Sequence, residues 1–151
     1  MLNRVLRSEF HITSTFKIAA DLATSIYDIS LAEGIDPQLA FRLVRVESEF
    51  NERATSPVGA VGLTQLMLPT ARYFQKGITR DQLYDRETNL RIGFRYLRSL
   101  VREYKGNVQL ALLVYNRGPQ AVQNSRDQGL DPSNGYERVV MKGYKGRGII
   151  D

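Results

Sequence analysis

The chain has 151 residues, of which 42% are hydrophobic and 25% charged, a composition that fits one globular domain and excludes a disordered segment. It has no cysteine and a single histidine, His11, so disulfides, thiolate nucleophiles and cysteine-based zinc sites are excluded, and His11 is expected to be an ordinary surface residue. The formal net charge of +5 favours anionic partners, but Lys and Arg concentrate on no predicted helix face, so nucleic-acid binding is not expected.

The first part of the chain predicts two helices. Apolar residues three and four apart predict a helix over residues 15–32, and Gly34 ends it. Asp36 and Pro37 then supply an N-cap and a proline at the first helical position. The second helix is predicted to run to about residue 50.

Short elements occupy the middle of the chain. Residues 51–62 are rich in turn formers, and a short segment follows them. Pro69 is expected to open a helix that runs through residue 74. Thr79 and Gln82 have the spacing of a capping box, which predicts a further helix start.

The second half of the chain predicts four more helices. Residues 85–104 form the longest periodic segment. Asn107 is expected to cap an almost wholly apolar helix that lies in the middle of the fold. Pro119 opens the next helix, and residues 136–141 form the last. With no alternating strand pattern and no linker, the sequence predicts one all-α domain over residues 1–151.

Glu47 continues the apolar stripe of the second predicted helix. It lies three residues after Val44 and four after Leu43. A solvated helix face is the alternative for any glutamate. If Glu47 faces the interior, desolvation disfavours its charged form and raises its pKa. A carboxylic acid still protonated near neutral pH is a suitable general acid for breaking a glycosidic bond.

No second carboxylate is placed to act with Glu47. Glycosidases usually need one, but Glu49 lies about 200° further round the helix. Glu52 follows the helix end without a fixed direction, and the later acidic residues fall at predicted helix starts, where capping accounts for them. A single acid favours chemistry in which the substrate supplies its own nucleophile.

Four blocks of sequence carry a family resemblance: ES at 47–48, SPVGAVGLTQLM at 56–67, NLRIGFRYL at 89–97 and VYNRGP at 114–119. In order and spacing they resemble the catalytic domain of the soluble lytic transglycosylases, a goose-lysozyme-like group (peptidoglycan lytic transglycosylase family 1). The resemblance covers about residues 17–145 and implies a compact lysozyme-like helical domain with a cleft. The chain departs from the family at Thr64, where methionine is commoner, and at Arg117, which adds a charge beside the expected cleft. Asn89 is expected to orient structure rather than touch substrate.

The resemblance implies that Glu47 is the only catalytic residue, acting first as an acid and then as a base. It would protonate the bond between N-acetylmuramic acid and N-acetylglucosamine. It would then take the proton of the muramoyl 6-hydroxyl, which attacks the anomeric carbon and forms a 1,6-anhydro sugar. Intramolecular attack replaces water as the nucleophile. No metal and no organic cofactor is implied.

The resemblance also implies a set of substrate-binding residues. They are Ser48, Ser56, Gln65, Met67, Tyr115, Asn116 and Tyr136. The Gln65 amide suits an N-acetyl group, Met67 offers a soft apolar wall, and Tyr115 offers a flat face for stacking. Gly59 and Gly62 would let the backbone turn close to the ligand.

Each of these residues also has a structural interpretation. Gln65 is alternatively a helix cap, and Ser56 a turn residue. Met67 and Tyr136 are alternatively core residues. Tyr115 and Asn116 alternatively end a buried helix, with the asparagine as its cap.

Two rival functions remain open at the level of sequence. The first is a hydrolase like goose-type lysozyme, and the second is a catalytically silent glycan-binding module of an envelope-spanning machine. In each case the expected partner is the peptidoglycan glycan strand, whose stem-peptide carboxylates suit a basic protein. A monomer is expected, at work in the periplasm or outside the cell.

The ends of the chain suggest no membrane segment. No apolar run reaches the roughly 18–20 residues of a membrane span, and charges interrupt the N-terminal stretch, so no secretory leader is recognised. The C-terminal stretch MKGYKGRG is locally basic and is expected to be loose.

Overall fold

The structure is a computed structural model that describes Leu2, Arg4 and residues 18–150. His11 lies outside the described residues, as do positions 15–17 of the first predicted helix. The helices of the described part are α1 (Ala20–Ala32), α2 (Pro37–Ser48), α3 (Leu68–Phe74), α4 (Arg80–Leu83), α5 (Arg86–Glu103), α6 (Val108–Arg117), α7 (Pro119–Asp127) and α8 (Tyr136–Met141). Extended backbone pairs in this part only as isolated bridges, so the predicted all-α class is confirmed.

The helix starts follow the predicted capping chemistry. The Asp36 side chain accepts a hydrogen bond from the Gln38 N–H at 3.0 Å, and Asn107 accepts one from the Leu110 N–H at 3.0 Å. Thr79 and Gln82 form both hydrogen bonds of the predicted capping box. Side-chain oxygens thus satisfy backbone N–H groups that have no partner within the helix.

The start of the first predicted helix and the end of the second differ from the prediction. The first helix begins at Ala20, because Ala19 is extended, with ψ 143°. The second ends at Ser48 rather than near residue 50, because Glu49 and Phe50 both take the left-handed conformation, with φ of 51° and 63°. Left-handed backbone breaks a right-handed helix, and here Phe50 turns back into the core.

Two hydrophobic clusters make up the core. The larger one joins α1, α2, α5 and α6, and the smaller one joins residues 61–83 to one face of α5. Tyr96 on α5 packs against both clusters. No helix within residues 18–150 has the length and apolarity needed to cross a membrane.

The C-terminal stretch is packed against the domain, so the expectation of a loose tail was wrong. The Tyr144 hydroxyl donates to the Asp36 carboxylate at 2.6 Å and accepts from the Gly148 N–H at 2.8 Å. The Asp36 N–H donates to the Gly148 carbonyl, and the Ile150 N–H donates to the Gly34 carbonyl. A buried tyrosine and paired backbone hold this segment in spite of its basic, glycine-rich sequence.

Asn89 fixes the loop before α3 onto α5. Its side-chain oxygen accepts from the Thr64 N–H at 2.9 Å and from the Thr64 hydroxyl at 2.7 Å. Its amide nitrogen donates to the Val61 and Leu83 carbonyls, both at 2.9 Å. The expectation that Asn89 orients structure is therefore confirmed.

The close fit around Asn89 depends on two glycines. A Cβ at Gly62, where φ is +78°, would lie 2.4 Å from the Asn89 amide nitrogen, and a Cβ at Gly93 would lie 2.3 Å from the Thr64 hydroxyl. Gly62 therefore lets the loop approach Asn89, rather than a ligand as its sequence context suggested.

Asn89→Ala should lower the free energy of unfolding by roughly 2–4 kcal/mol, because the Thr64 N–H and the Leu83 carbonyl lose their side-chain partner in a buried position. Urea unfolding measures this change. The matched control is Asn107→Ala, which removes only an exposed helix cap and should cost about 1 kcal/mol. Equal losses in the two variants would contradict the role assigned to Asn89.

Candidate active site

A cleft of about 490 Å³ opens between the two hydrophobic clusters. The C-terminal end of α2, the loop at residues 56–67, the start of α3 and the junction of α6 with α7 form its walls. Its lining residues are Glu47, Ser56, Val58, Ala60, Gln65, Leu66, Met67, Thr70, Tyr96, Tyr115, Asn116, Arg117, Gly118 and Pro119. Of the predicted site residues, only Ser48 and Tyr136 are not in this lining.

Glu47 lies in the last turn of α2 and is half-buried. It is the one carboxylate among the described residues that line the cleft. Immediately after it, the backbone at Glu49 and Phe50 is left-handed. Non-glycine residues rarely adopt this conformation, and such strain is concentrated at functional sites. The strain ends the helix at the point where Glu47 meets the cleft.

Burial raises the pKa of Glu47 from 4.5 to about 7. Desolvation is the larger cause, because it disfavours the charged carboxylate, and the nearby Tyr136 hydroxyl opposes it. A carboxyl group with this pKa is protonated in a large fraction of molecules near neutral pH. It can therefore both give and take a proton under those conditions.

The Tyr136 hydroxyl lies behind Glu47 without a hydrogen-bond partner. It is the one buried side-chain polar atom in the described part of the chain that makes no hydrogen bond. Burial and then the Glu47 charge raise its pKa well above the usual value. The Tyr136 hydroxyl is thus near enough to Glu47 to lower the pKa of that carboxyl. The distance and angle between the two groups are nevertheless not those of a hydrogen bond in this structure.

The loop at residues 54–66 holds two predicted site residues. The Ser56 hydroxyl accepts from the Ala60 N–H at 2.9 Å, which closes the Ser-Pro turn. Gln65 has left-handed backbone, with φ 52°, and its amide nitrogen donates to the Ala54 and Gly62 carbonyls at 3.1 and 2.9 Å. Gln65 braces the loop rather than capping a helix, and its amide oxygen stays available to a ligand.

Tyr115 and Asn116 come from the end of α6. The Tyr115 ring lies against Tyr96, with 5.2 Å between the ring centroids, and its hydroxyl donates to the Thr64 carbonyl at 2.7 Å. Asn116 is exposed in the cleft. Gly118, not Asn116, is the C-cap of α6.

Asn116 also connects the cleft to the start of α8. Its side-chain oxygen accepts from the Asn134 amide at 2.8 Å, and the Asn134 oxygen accepts from the Tyr136 N–H at 3.1 Å. Arg117 holds the same loop, since its guanidinium donates to the Pro132 carbonyl at 2.6 Å. Arg117, the charged residue predicted beside the cleft, is therefore bound to a backbone carbonyl. It helps to hold the loop that leads to Tyr136.

Ser48 and Met67 have different environments. Ser48 is buried and its hydroxyl donates to the Val44 carbonyl at 3.0 Å, so the structure does not bring it to the cleft surface. Met67 is 40% exposed and lines the cleft, which favours the cleft-wall interpretation over a core role.

The other carboxylates considered in the sequence lie apart from the cleft lining. Glu52 pairs with Arg86, and Asp85 caps α5 through the Thr88 N–H. Glu49 is exposed. Within the part of the chain that the structure describes, no three His, Asp or Glu side chains are grouped closely enough to hold a metal ion.

Several lining residues were not predicted as site residues, among them Val58, Thr70 and Tyr96. Val58 is 77% exposed at the tip of the Ser-Pro turn, Thr70 lies in the first turn of α3, and Tyr96 lies on α5. Tyr96 was inside a recognised block, but only the packing of α5 against α6 shows that its ring meets Tyr115.

Comparisons with known proteins agree on one family. The family profile described as "Transglycosylase SLT domain" matches residues 25–134. The soluble lytic murein transglycosylase of Salmonella typhimurium is 32% identical over 119 residues, which are 75% of this chain and 18% of that protein. The transglycosylase of Enterobacteria phage PRD1 is 43% identical over 84 residues, which are 56% of this chain and 30% of that protein.

A solved structure agrees with these sequence matches. The crystal structure of the 70 kDa soluble lytic transglycosylase of Escherichia coli is similar with a TM-score of 0.70 and 27% identity. The match covers 87% of this chain and 24% of that one. The chain thus spans less than a third of the length of each of these relatives.

Glu47→Gln should make the stability of the protein less dependent on pH. The folded state holds the Glu47 proton more tightly than the unfolded chain, so the contribution of Glu47 to stability is largest below pH 4.5 and is lost as the pH rises through about 7. The free energy of unfolding of Glu47→Gln, relative to that of the parent, should therefore be higher above pH 7 than at low pH. The increase should be at most about 3 kcal/mol.

Urea unfolding of both proteins at low and high pH measures this gain. Glu49→Gln, at the exposed neighbouring position, controls for the loss of a surface carboxylate. A constant difference between Glu47→Gln and the parent at all pH values would contradict the burial of Glu47.

Proposed function

The chain belongs to the transglycosylase SLT domain family, and on that premise we propose that it is the catalytic domain of a lytic murein transglycosylase. The resemblance inferred from the four sequence blocks is confirmed by the family match. The proposed reaction cleaves the bond between N-acetylmuramic acid and N-acetylglucosamine without water. The observation that carries the proposal is a single cleft carboxyl, Glu47, whose pKa burial raises to about 7.

In the first step Glu47 acts as a general acid. Its carboxyl proton moves to the glycosidic oxygen, the bond from that oxygen to the muramoyl anomeric carbon breaks, and the N-acetylglucosamine chain leaves as an alcohol. The positive charge that develops on the muramoyl ring can be stabilised by the N-acetyl group of the same sugar. Glu47 is left as a carboxylate in a partly desolvated position.

In the second step the same carboxylate acts as a base. It takes the proton of the muramoyl 6-hydroxyl while that oxygen bonds to the anomeric carbon, which gives the 1,6-anhydro sugar and restores protonated Glu47. The nucleophile is already part of the bound sugar, so its effective concentration is high. One carboxyl group thus gives a proton in the first step and regains one in the second. This agrees with a cleft lined by one carboxylate in the described structure.

The surrounding side chains offer groups suited to an N-acetylated glycan. Gln65 presents an amide oxygen to a sugar N–H or hydroxyl. Met67 offers apolar surface to a sugar face, and the exposed Asn116 amide offers polar contacts. Tyr115 lines the cleft but is buried against Tyr96, so it offers little surface for stacking. Ser56 contributes a hydroxyl that already accepts from the Ala60 N–H.

The location of the substrate determines where such an enzyme works. We propose the periplasm or the outside of the cell, where peptidoglycan lies. Glycan strands of peptidoglycan are the proposed partner, and the net charge of +5 suits their stem-peptide carboxylates. The proposed action as a monomer and without a cofactor rests on the family resemblance.

Glu47→Gln should lower the rate of glycan release from purified sacculi by at least about 10³-fold, because the amide cannot give the proton. Glu49→Gln is the matched control and should keep the parental rate. Mass spectrometry of the parent's products should find 1,6-anhydromuramoyl ends. Parental activity in Glu47→Gln would contradict the mechanism.

Product analysis also separates the rival functions. Reducing muramoyl ends, heavier by one water, would indicate a goose-type lysozyme-like hydrolase. Binding to sacculi without any release of glycan from folded protein would indicate a catalytically silent glycan-binding module.

Tyr136→Phe should slow the reaction about 10- to 100-fold, because the phenol is the group placed to donate a hydrogen bond to Glu47 when it becomes a carboxylate. The pKa of Glu47 should rise, since Tyr136 lowers it in the parent, and the rate profile should shift to higher pH. Stability should hardly change at low pH, where Glu47 is protonated, and should fall somewhat at high pH, because the folded variant holds the Glu47 carboxylate less favourably. An unshifted pH profile would show that Tyr136 does not act on Glu47.

A further inference from the structure

Arg117 is the one cation among the described residues that line the cleft, and Glu47 is the one carboxylate. Burial and Tyr136 account for the pKa of Glu47, without a contribution from the Arg117 charge. Because Glu47 is protonated in a large fraction of molecules near neutral pH, it does not neutralise Arg117. The cleft therefore holds a positive charge that the mechanism proposed above does not use, at the position where this chain departs from the family pattern.

The guanidinium of Arg117 is held by one nitrogen and has N–H groups left over. Its Nη1 donates to the Pro132 carbonyl at 2.6 Å and to the Ser125 hydroxyl at 3.4 Å. Its Nε and Nη2 donate to no acceptor in the described part of the chain, and Arg117 belongs to none of the ion pairs found there. A guanidinium carries five N–H donors in a planar fork that matches a carboxylate. The half-buried side chain is thus fixed in place and can still bind an anion.

The sugars of peptidoglycan offer few anionic groups to a cleft that holds the glycan backbone. The hydroxyl and N-acetyl groups of both sugars are uncharged. A phosphate on the muramoyl 6-hydroxyl would occupy the oxygen that attacks in the proposed reaction, so that anion is excluded at the reacting sugar. The remaining anionic group is the carboxylate of the lactyl ether of muramic acid, which is attached to the sugar ring itself.

The lactyl carboxyl group is charged only where the glycan strand carries no peptide. In a peptide-bearing strand it is bound as an amide, and the carboxylates of the peptide lie further from the ring. Hydrolysis of that amide by an amidase consumes one water, releases the peptide and leaves the carboxylate on the sugar. A strand without peptides therefore brings an anion into the space that Arg117 lines, and a carboxylate is the partner that a guanidinium binds best.

We infer that Arg117 pairs with the free lactyl carboxylate of muramic acid, so that the cleft prefers glycan strands from which the peptides have been removed. The inference rests on the proposed function, since it assumes that peptidoglycan occupies the cleft. A cleft cation without an anionic partner, and with N–H donors to spare, carries it. The reaction that supplies the preferred substrate is then the hydrolysis of the lactyl amide by another enzyme.

Two ligands that differ by one kind of charge test this pairing apart from catalysis. Glu47→Gln protein, which should not turn over the ligand, is titrated by calorimetry with a peptide-free tetrasaccharide of alternating N-acetylglucosamine and N-acetylmuramic acid. The second ligand is the same tetrasaccharide with its lactyl carboxyl groups converted to primary amides. At neutral pH and low salt the carboxylate ligand should bind about fivefold more tightly. Added salt should reduce this ratio, because it screens the ion pair.

Substitutions in the same Glu47→Gln background then test the assigned residue. Arg117→Gln should bring the ratio of the two affinities to about one, because glutamine keeps an N–H donor for the Pro132 carbonyl but carries no charge. Arg117→Lys keeps the charge and should retain part of the preference. Arg126→Gln, which removes an exposed cation on α7, is the matched control and should leave the ratio unchanged. A loop merely loosened by the loss of Arg117 would weaken both ligands alike and would not change the ratio.

Equal affinity of the Glu47→Gln protein for the two ligands would overturn the inference, and so would a preference that survives in Arg117→Gln. A peptide-bearing tetrasaccharide that binds more tightly than the carboxylate ligand would overturn it as well. The proposed function is read separately, from glycan release by the parent. Release of glycan without a carboxylate preference would leave the function standing and remove the role of Arg117, whereas a carboxylate preference without release would do the reverse.

Discussion

Asn89 joins the loop before α3 to α5 through four hydrogen bonds of one side-chain amide. One buried amide accepts from Thr64 and donates to two carbonyls on separate segments, so the loop at residues 61–64 has one position on α5. That loop carries Gln65 and leads to Met67, and it supplies the carbonyl that receives the Tyr115 hydroxyl. The wall of the cleft that holds Gln65 and Met67 therefore depends on a structural residue that touches no substrate in the proposed mechanism.

The chemistry of the cleft follows from how little water reaches Glu47. A glutamate on a solvated helix face would be charged at neutral pH, whereas here burial raises its pKa to about 7. The Tyr136 hydroxyl makes no hydrogen bond here and can donate one to Glu47 when that group is a carboxylate. Asn116, Asn134 and Arg117 hold the start of α8 in place, and they thereby help to position the Tyr136 hydroxyl near Glu47.

Tyr96 connects the cleft to the neighbouring groove. It packs on both hydrophobic clusters, contacts Tyr115 on one side and Phe74 on the other, and lines both spaces. That groove lies between α3 and α5 and has a volume of about 680 Å³, and Thr70, Tyr96 and Pro119 line both it and the cleft. The wall of the cleft that holds Tyr96 is therefore fixed by packing on both of its sides.

The sequence by itself determined the helix starts, since Asp36, Thr79, Asn107 and the prolines act on neighbouring backbone and need no distant partner. It also identified Glu47 and five other site residues that line the cleft, because spacing and motif are local. Only the tertiary structure decided that Ser48 turns inward, that the C-terminal tail packs through Tyr144, and that Tyr136 reaches Glu47 without a hydrogen bond. These outcomes depend on contacts between residues far apart in the chain and on how completely each group is removed from water, and neither has a signature in a local pattern.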